Sequence, residues 1–431
     1  MPKRSIAIAG GVVGTLAIAL VSGLLLFGGS DDGASTSITE AATTTAAATT
    51  AAPTTAPSPT TTAAAVEEIT TTTGRPAVEI AVRFAENGGR LEQTIKTFYA
   101  WVGDPDLEAP PLAEGLEEYV AAATPTAAEI IRADFAIATP YETRVAVVTA
   151  DEDVVLLVDD GEEAGWRVVG AKLARYGLEA SYGDAIRHVM IIGTDARSGQ
   201  DQQVFRADSL HIVTSAIEED AGSILGFPRD SYVDAPYGGK DKFTHINALA
   251  GPEAVVEVAR DLTGLPIEGY LVTGFLGFEQ LVNDFGGVTV NVPFAMADPK
   301  SKAYLNAGTQ VLWGANALAF SRNRTIPGSD FTRSFHHGLV IDGALDTVQA
   351  RGILILPDLL RILGKYTWTN LSTEDLLTAA AGAYEIDPES IVNVVLPGSI
   401  QTLGGASVVV LDENAENFYR DLDDGVLTAP E

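Results

Sequence analysis

The chain has 431 residues, 46% of them hydrophobic, no cysteine, and a formal net charge of −31 from 58 acidic and 27 basic side chains. The missing cysteines exclude disulfides, thiol nucleophiles and thiolate metal sites. The acidity opposes nucleic-acid phosphates and anionic lipid headgroups, so no nucleic acid partner is expected, and an anionic ligand must be held by locally clustered arginines.

Residues 1–30 begin with Lys3 and Arg4 and continue as an uncharged run over 5–29. About 20 apolar residues span a bilayer, and a basic flank is retained in the cytoplasm. A single-pass anchor in the cell membrane is expected, with the N-terminus cytoplasmic and the folded part extracytoplasmic. A cleaved signal peptide has a shorter apolar region, of about 7–15 residues. Residues 31–74 are dominated by Thr and Ala, with Pro53, Pro57 and Pro59. Without large apolar residues this stretch is expected to be a disordered linker.

Residues 75–180 read as a small α+β module of unknown role. Leu91, Ile95, Phe98, Tyr99 and Val102 fall on one helical face. Strand-like runs follow over 134–138, 144–149, 154–158 and 166–173, with Asp159-Asp160-Gly161 as a turn. A helix packed on an antiparallel meander is expected, and no catalytic constellation is visible in it.

Residues 181–431 form the second folded part. The apolar runs 189–192, 210–215 and 223–227 have the length and composition of buried strands. Val255, Val258, Ala259 and Leu262 make one amphipathic helix face, and Phe278, Leu281, Val282 and Phe285 another. Val288, Val290 and Val292 alternate as a half-buried strand after Gly286-Gly287. Residues 331–348 read as a helix that Ser329 or Asp330 can cap. Strands are expected at 391–396 and 407–411. Asp412 is expected to cap a last helix facing inward through Ala415, Phe418, Tyr419 and Leu422.

Charge collects where the strands end. GTDAR at 193–197 and FPRD at 227–230 follow the first and third runs, and RADS at 206–209 precedes the second. SRNR at 321–324 and DFTR at 330–333 add a second cluster. On extended chain, Arg322 and Arg324 would project to one side. Ligands in sheets flanked by helices tend to bind beyond strand ends, so Arg and Asp gathered there suggest an anionic ligand, with or without a metal. The five histidines show no zinc spacing, and no GxSxG motif is present.

In order and spacing, these five motifs resemble the LytR-CpsA-Psr family of bacterial cell-wall proteins. HINALAGPE at 245–253, TGLPIEGYLVTGFLGFEQLVNDFGGVTVNVP at 263–293 and ALAFSRNR at 317–324 agree with it. The likeness is concentrated in a core at 187–349 and does not reach 75–180. It implies an α/β/α sandwich around a mixed sheet. It also implies an enzyme that moves a glycopolymer from a polyprenyl-pyrophosphate carrier to a peptidoglycan hydroxyl, forming a phosphodiester link. By position, Asp208 and Asp330 match the family's metal-binding acids, with Mg2+ as cofactor, and Asp195 the acid near them. Arg229, Arg322, Arg324 and Arg333 match the arginines that grip the pyrophosphate.

The residue chemistry suits that expectation. Arginine offers a planar fork of charge-assisted hydrogen bonds to phosphate, and hard carboxylate oxygens select magnesium. Arg197 and Arg206 are expected to add to the pyrophosphate site, and either Asp195 or Asp230 to take the acceptor proton. His245 stands where relatives usually have Lys, and His337 where many have Gln; both are expected at the pyrophosphate. A polyprenyl-pyrophosphate hydrolase and a non-catalytic precursor-binding regulator of wall assembly are the competing readings.

Overall fold

Apolar spacing in the first module translates directly into packing. In the computed structural model, which describes residues 77–323 and 329–428, α1 (Arg90–Gly103) buries Leu91, Ile95, Phe98, Tyr99 and Val102. Beneath it lies a five-stranded sheet ordered β1 (Ile80–Phe84), β2 (Glu129–Ala138), β3 (Arg144–Ala150), β4 (Asp153–Asp159) and β5 (Trp166–Lys172). Strands β2 to β5 form the expected antiparallel meander. The sequence reading missed β1, which pairs parallel to β2. Its crossover carries α1 and the short α2 (Leu116–Ala121).

Strands β3 and β4 read as continuous apolar runs because both faces of this sheet are covered. Ala146, Val148, Val155 and Leu157 join the core beneath α1. Val145, Val147, Val154, Leu156 and Val158 belong instead to the main core of the following part of the chain. The core is therefore continuous across residue 180.

The second part opens with the antiparallel strands β6 (Ile186–Thr194), β7 (Ala207–Ala216) and β8 (Ala221–Gly226). A ribbon, β9 (Tyr232–Asp234) with β10 (Lys240–Lys242), leads into α3 (Phe243–Ala250) and α4 (Pro252–Thr263). Next come β11 (Gly269–Thr273) and α5 (Phe275–Phe285). Strand β12 (Val288–Val292) pairs with β15 (Gly308–Leu312) around the hairpin of β13 (Met296–Asp298) and β14 (Ala303–Leu305). Helices α6 (Gly314–Ser321), α7 (Ser329–Gln349) and α8 (Leu356–Tyr366) follow, then β16 (Trp368–Thr369) and α9 (Thr373–Tyr384). The chain closes with β17 (Val392–Val395), the hairpin β18 (Gly398–Leu403) and β19 (Ala406–Leu411), and α10 (Asn414–Asp421).

The central sheet is ordered β16-β11-β6-β7-β8-β17. It is mixed: β11 is parallel to β6 and β17 to β8, whereas β7 runs against both its neighbours. Alternation along each strand feeds two cores. On β6, Val189 and Ile191 face one core, shared with α5 to α9, while Met190 and Ile192 face the other, shared with α3, α4 and α10. The result is helices on both faces of a mixed sheet.

These directions place the C-terminal ends of β6, β8, β11 and β17 and the start of β7 at one edge. Every charged motif from 195 to 230 emerges there. The anchor and linker readings fall on residues outside those described. Among the described residues no helix is long and apolar enough to cross a membrane.

Candidate active site

Asp195 directly follows β6, and its backbone N–H donates to the Arg206 carbonyl at 2.9 Å. The intervening loop is pinned from three sides. Thr194 Oγ1 donates to Gln202 O at 2.9 Å, Gln202 Nε2 donates to Arg197 O at 3.0 Å, and Asn247 Nδ2 on α3 donates to both Gln203 O and Phe205 O at 2.7 Å. Arg206 folds back to pair with Asp195 Oδ2 through Nε, at 3.0 Å, and Nη2. Asp195 is 6% exposed, and its Oδ1 is buried without a hydrogen-bond partner. Arg206, expected on the pyrophosphate, is thus engaged by the carboxylate it was to work beside. Arg197, in the same loop, is exposed.

Asp208 sits at the start of β7 with its side chain 1% exposed, and accepts from Arg229 Nη1 at 2.8 Å. Burial raises its carboxyl pKa, the Arg229 guanidinium opposes that, and the nearby Asp195 charge adds to it. Arg229 Nε lies 3.5 Å from Asp330 Oδ1 in the first turn of α7, and Asp330 also pairs with Arg333 one turn on. Asp330 is inside the helix, spending its carboxylate on arginines, so it is not the cap. Burial works against the Arg229 charge, but Asp208 and Asp230 outweigh it and its pKa is raised.

Asp230 pairs with Lys242 Nζ at 3.2 Å. Two backbone bonds fix this approach: Phe243 N–H donates to Ser231 O and Thr244 N–H to Arg229 O, both at 2.8 Å. Lys242 was missed in the sequence because nothing in KDKF separates it from a solvated surface charge. His245, one helical turn on, donates from Nδ1 to Asp241 Oδ1 at 2.9 Å. Burial raises the Asp241 carboxyl, but hydrogen bonds from His245, the Lys242 N–H and Tyr237 prevail and lower it.

The SRNR motif does not start on extended chain. Helix α6 runs to Ser321, and the Arg322 N–H donates to Leu318 O at 3.1 Å and Ala319 O at 3.2 Å. Its guanidinium lies 4.9 Å from the Phe275 ring centroid, and the Phe275 N–H donates to Ala196 O at 3.2 Å. Arg322 is thereby tied to the Asp195 loop. The side-by-side projection expected of Arg322 and Arg324 loses its premise at Arg322, and Arg324 lies outside the described residues.

His337 requires a correction. It is 2% exposed, and its Nε2–H donates to the Ser321 carbonyl at 3.1 Å. Burial, then the neighbouring His211 and Arg333, hold its pKa well below the usual imidazole value. A ring so placed gives its Nε2–H to backbone. The aliphatic face Phe278–Phe285 is likewise core, with all four residues buried.

Among the described residues no group of three or more His, Asp or Glu side chains is arranged to hold a metal ion. The donor chemistry still fits a hard divalent cation. Three carboxylates, Asp195, Asp208 and Asp330, share electrostatic contact with Arg229, and Asp195 Oδ1 is a buried oxygen with no partner.

The chain matches the LytR_cpsA_psr family over residues 177–422, a stretch that includes every residue of this edge. It belongs to the LytR-CpsA-Psr family. One family relative, the polyisoprenyl-teichoic acid–peptidoglycan teichoic acid transferase TagT of Bacillus subtilis (strain 168), is 31% identical over 200 residues, covering 44% of this chain and 61% of the relative. The probable cell wall biosynthesis protein LcpB of Corynebacterium glutamicum is 29% identical over 180 residues, covering 39% of this chain and 43% of the relative. The chain thus spans less than two thirds of either relative's length. The crystal structure of Bacillus subtilis TagV superposes with a TM-score of 0.50 at 23% identity, covering 58% of this chain and all of that one, which supports the LytR-CpsA-Psr fold.

Proposed function

We propose that this protein transfers a glycopolymer from a polyprenyl-pyrophosphate carrier to a peptidoglycan hydroxyl, leaving a phosphodiester link in the cell wall. The observation that carries the reading is Arg229 bridging Asp208 and Asp330, from chain segments more than a hundred residues apart. A guanidinium held between carboxylates is oriented before a phosphate arrives and need not be ordered at the moment of reaction. The Bacillus subtilis relative is by name a transferase of polyisoprenyl-linked teichoic acid to peptidoglycan, which supports the reaction class.

Arg229, Arg322, Arg324 and Arg333 would grip the pyrophosphate, joined by Lys242. The acceptor hydroxyl oxygen bonds to the sugar-linked phosphorus. The bond from that phosphorus to the bridging oxygen breaks, and polyprenyl phosphate leaves with the electron pair. The acceptor proton passes to a carboxylate. The partnerless Oδ1 favours Asp195 for that role over Asp230, whose carboxylate is paired with Lys242. Asp208 and Asp330 would hold magnesium, which supplies neutralisation of phosphate charge when bound. The uncharged run at 5–29 supports anchoring in the cell membrane, which would keep the site near a lipid carrier.

The test is incubation of the full chain with a polyprenyl-pyrophosphate-linked glycan and peptidoglycan fragments, read by mass spectrometry of the phosphodiester adduct. Adduct is expected from the wild type and not from Arg229→Ala. Acceptor-independent release of glycan phosphate alone would make the protein a hydrolase. Tight binding without turnover would make it a precursor-binding regulator. Either result overturns the proposal.

A further inference from the structure

Behind the charged edge lie two buried imidazoles that the reaction does not use. His211 on β7 is 0% exposed. Its Nε2 is 3.0 Å from the Ser334 carbonyl oxygen and its Nδ1 is 3.0 Å from Ser209 Oγ. A carbonyl only accepts, so Nε2 carries the proton and Nδ1 accepts from the Ser209 hydroxyl. His337 on α7 is in the same state, with its Nε2–H on the Ser321 carbonyl. The two rings are 5.6 Å apart.

The residues bound in this way are neighbours of the site. Ser334 follows Arg333, Ser321 precedes Arg322, and Ser209 follows Asp208. The backbone is shaped to admit the contacts. Gly226, the register partner of His211, has no room for a side chain, because a Cβ there would lie 2.6 Å from Ser334 Oγ and 3.0 Å from His211 Nε2. A parallel contact holds the next residue of α7: Asn393 Nδ2 on β17 donates to Phe335 O at 3.0 Å, and a Cβ on Gly338 would lie 2.0 Å from Asn393 Oδ1. The Ser334 and Phe335 carbonyls lie inside α7 and have a second lone pair, so their bonds add to the helical ladder without breaking it, whereas the Ser321 carbonyl ends α6, where the ladder supplies no partner.

We propose that His211 and His337 are positioning residues: as neutral Nε2–H tautomers they hold the carbonyls beside Arg333 and Arg322, and so set Arg333 toward Asp208 and Arg322 over Phe275 beside the Asp195 loop. An apolar ring would fill the same space without the desolvation cost of an imidazole. What it would lack is direction, since either bond breaks if α7 turns or slides by one residue, a rise of about 1.5 Å. Burial supports the neutral state, keeping His211 down at about 4.

This inference rests on the reading of Arg322 and Arg333 as pyrophosphate contacts, and the experiment separates the two. Geranyl pyrophosphate binding and transfer kinetics are measured for the full chain as wild type, Arg322→Ala, His337→Leu, His337→Gln, His211→Leu and His211→Gln. Each Leu variant should bind the probe roughly tenfold more weakly, the loss expected for one hydrogen bond. Each Gln variant, which keeps an N–H donor of similar reach, should recover most of it. Imidazole nitrogen-15 shifts of the wild type should report neutral Nε2–H rings from about pH 5.5 to 8. Wild-type affinity in both Leu variants, alongside a defective Arg322→Ala, would overturn the positioning role alone. An equal loss in the Leu and Gln variants, or an Nδ1–H tautomer, would also overturn it. Wild-type affinity in Arg322→Ala would overturn the pyrophosphate reading itself.

Discussion

Arg229 Nη1 donates to Asp208 Oδ1 across 2.8 Å, and the acid it serves is almost wholly enclosed. Removing one member of such a pair strands the other charge, which typically costs about 3–5 kcal/mol. Arg229→Ala should therefore be destabilised as well as inactive, and Asp208→Asn introduced beside it should restore part of the stability. Urea unfolding of the two single variants and the double variant forms the cycle. Strict additivity would show that the two side chains do not interact.

The same pair sets a pH dependence. Burial already raises the Asp208 carboxyl, and losing Arg229 raises it further. A folded-state pKa above the unfolded one of about 3.9 means that the folded protein holds the proton more tightly, so stability is lost as pH rises between the two values. The deficit of Arg229→Ala should be full at pH 8 and shrink toward pH 4. A deficit independent of pH would point to lost packing instead.

Asp342 on α7 gives a second titration far simpler to read. Burial holds its carboxyl up to about 7, with Asp346 one turn later adding repulsion. Its penalty is absent below about pH 4, where both states are protonated, and complete above about pH 7. Asp342→Asn should raise the melting temperature at pH 8 and leave it nearly unchanged at pH 4. Equal shifts at both pH values would refute the assignment.

Lys242 is expected to matter to ligand and not to fold. Its pair with Asp230 is partly solvated, and such pairs contribute about 0–1 kcal/mol. Lys242→Gln should hardly move the melting temperature, while weakening pyrophosphate binding by roughly tenfold. Calorimetric titration with geranyl pyrophosphate measures the second quantity, and an unchanged Kd removes Lys242 from the site.

The first module should prove inseparable from the rest. Tyr141 Oη and Thr367 Oγ1 lie 2.6 Å apart, and Arg167 reaches Glu374 on α9 at 2.7 Å. The apolar contact is larger, since β3 and β4 share one core with Leu359, Leu360 and Leu363 of α8. Deleting residues 77–180 would expose that helix face. The shortened protein should aggregate or bind a hydrophobic dye, as read by light scattering and fluorescence. A monodisperse, cooperatively melting product would make the module an independent unit.

The amino-acid sequence by itself determined most of the elements. Periodicity of 3.6 marked α1 and α5 and alternation marked β12, because a side chain's face is a local property of the backbone, while the length and composition of apolar runs marked β6 to β8. It also showed which residue types gather at strand ends, and the order of five motifs was enough to carry the family resemblance. Only the tertiary structure decided who meets whom. Arg206 closes on Asp195, Lys242 reaches Asp230, and His337 donates to a backbone carbonyl in place of a ligand. Each of these partnerships depends on where loops and helices converge, and a charged or imidazole side chain reads the same in sequence whether its partner is phosphate, carboxylate or main chain. The same holds for β3 and β4, whose apolar runs announce burial on two faces without saying that the second face belongs to α8.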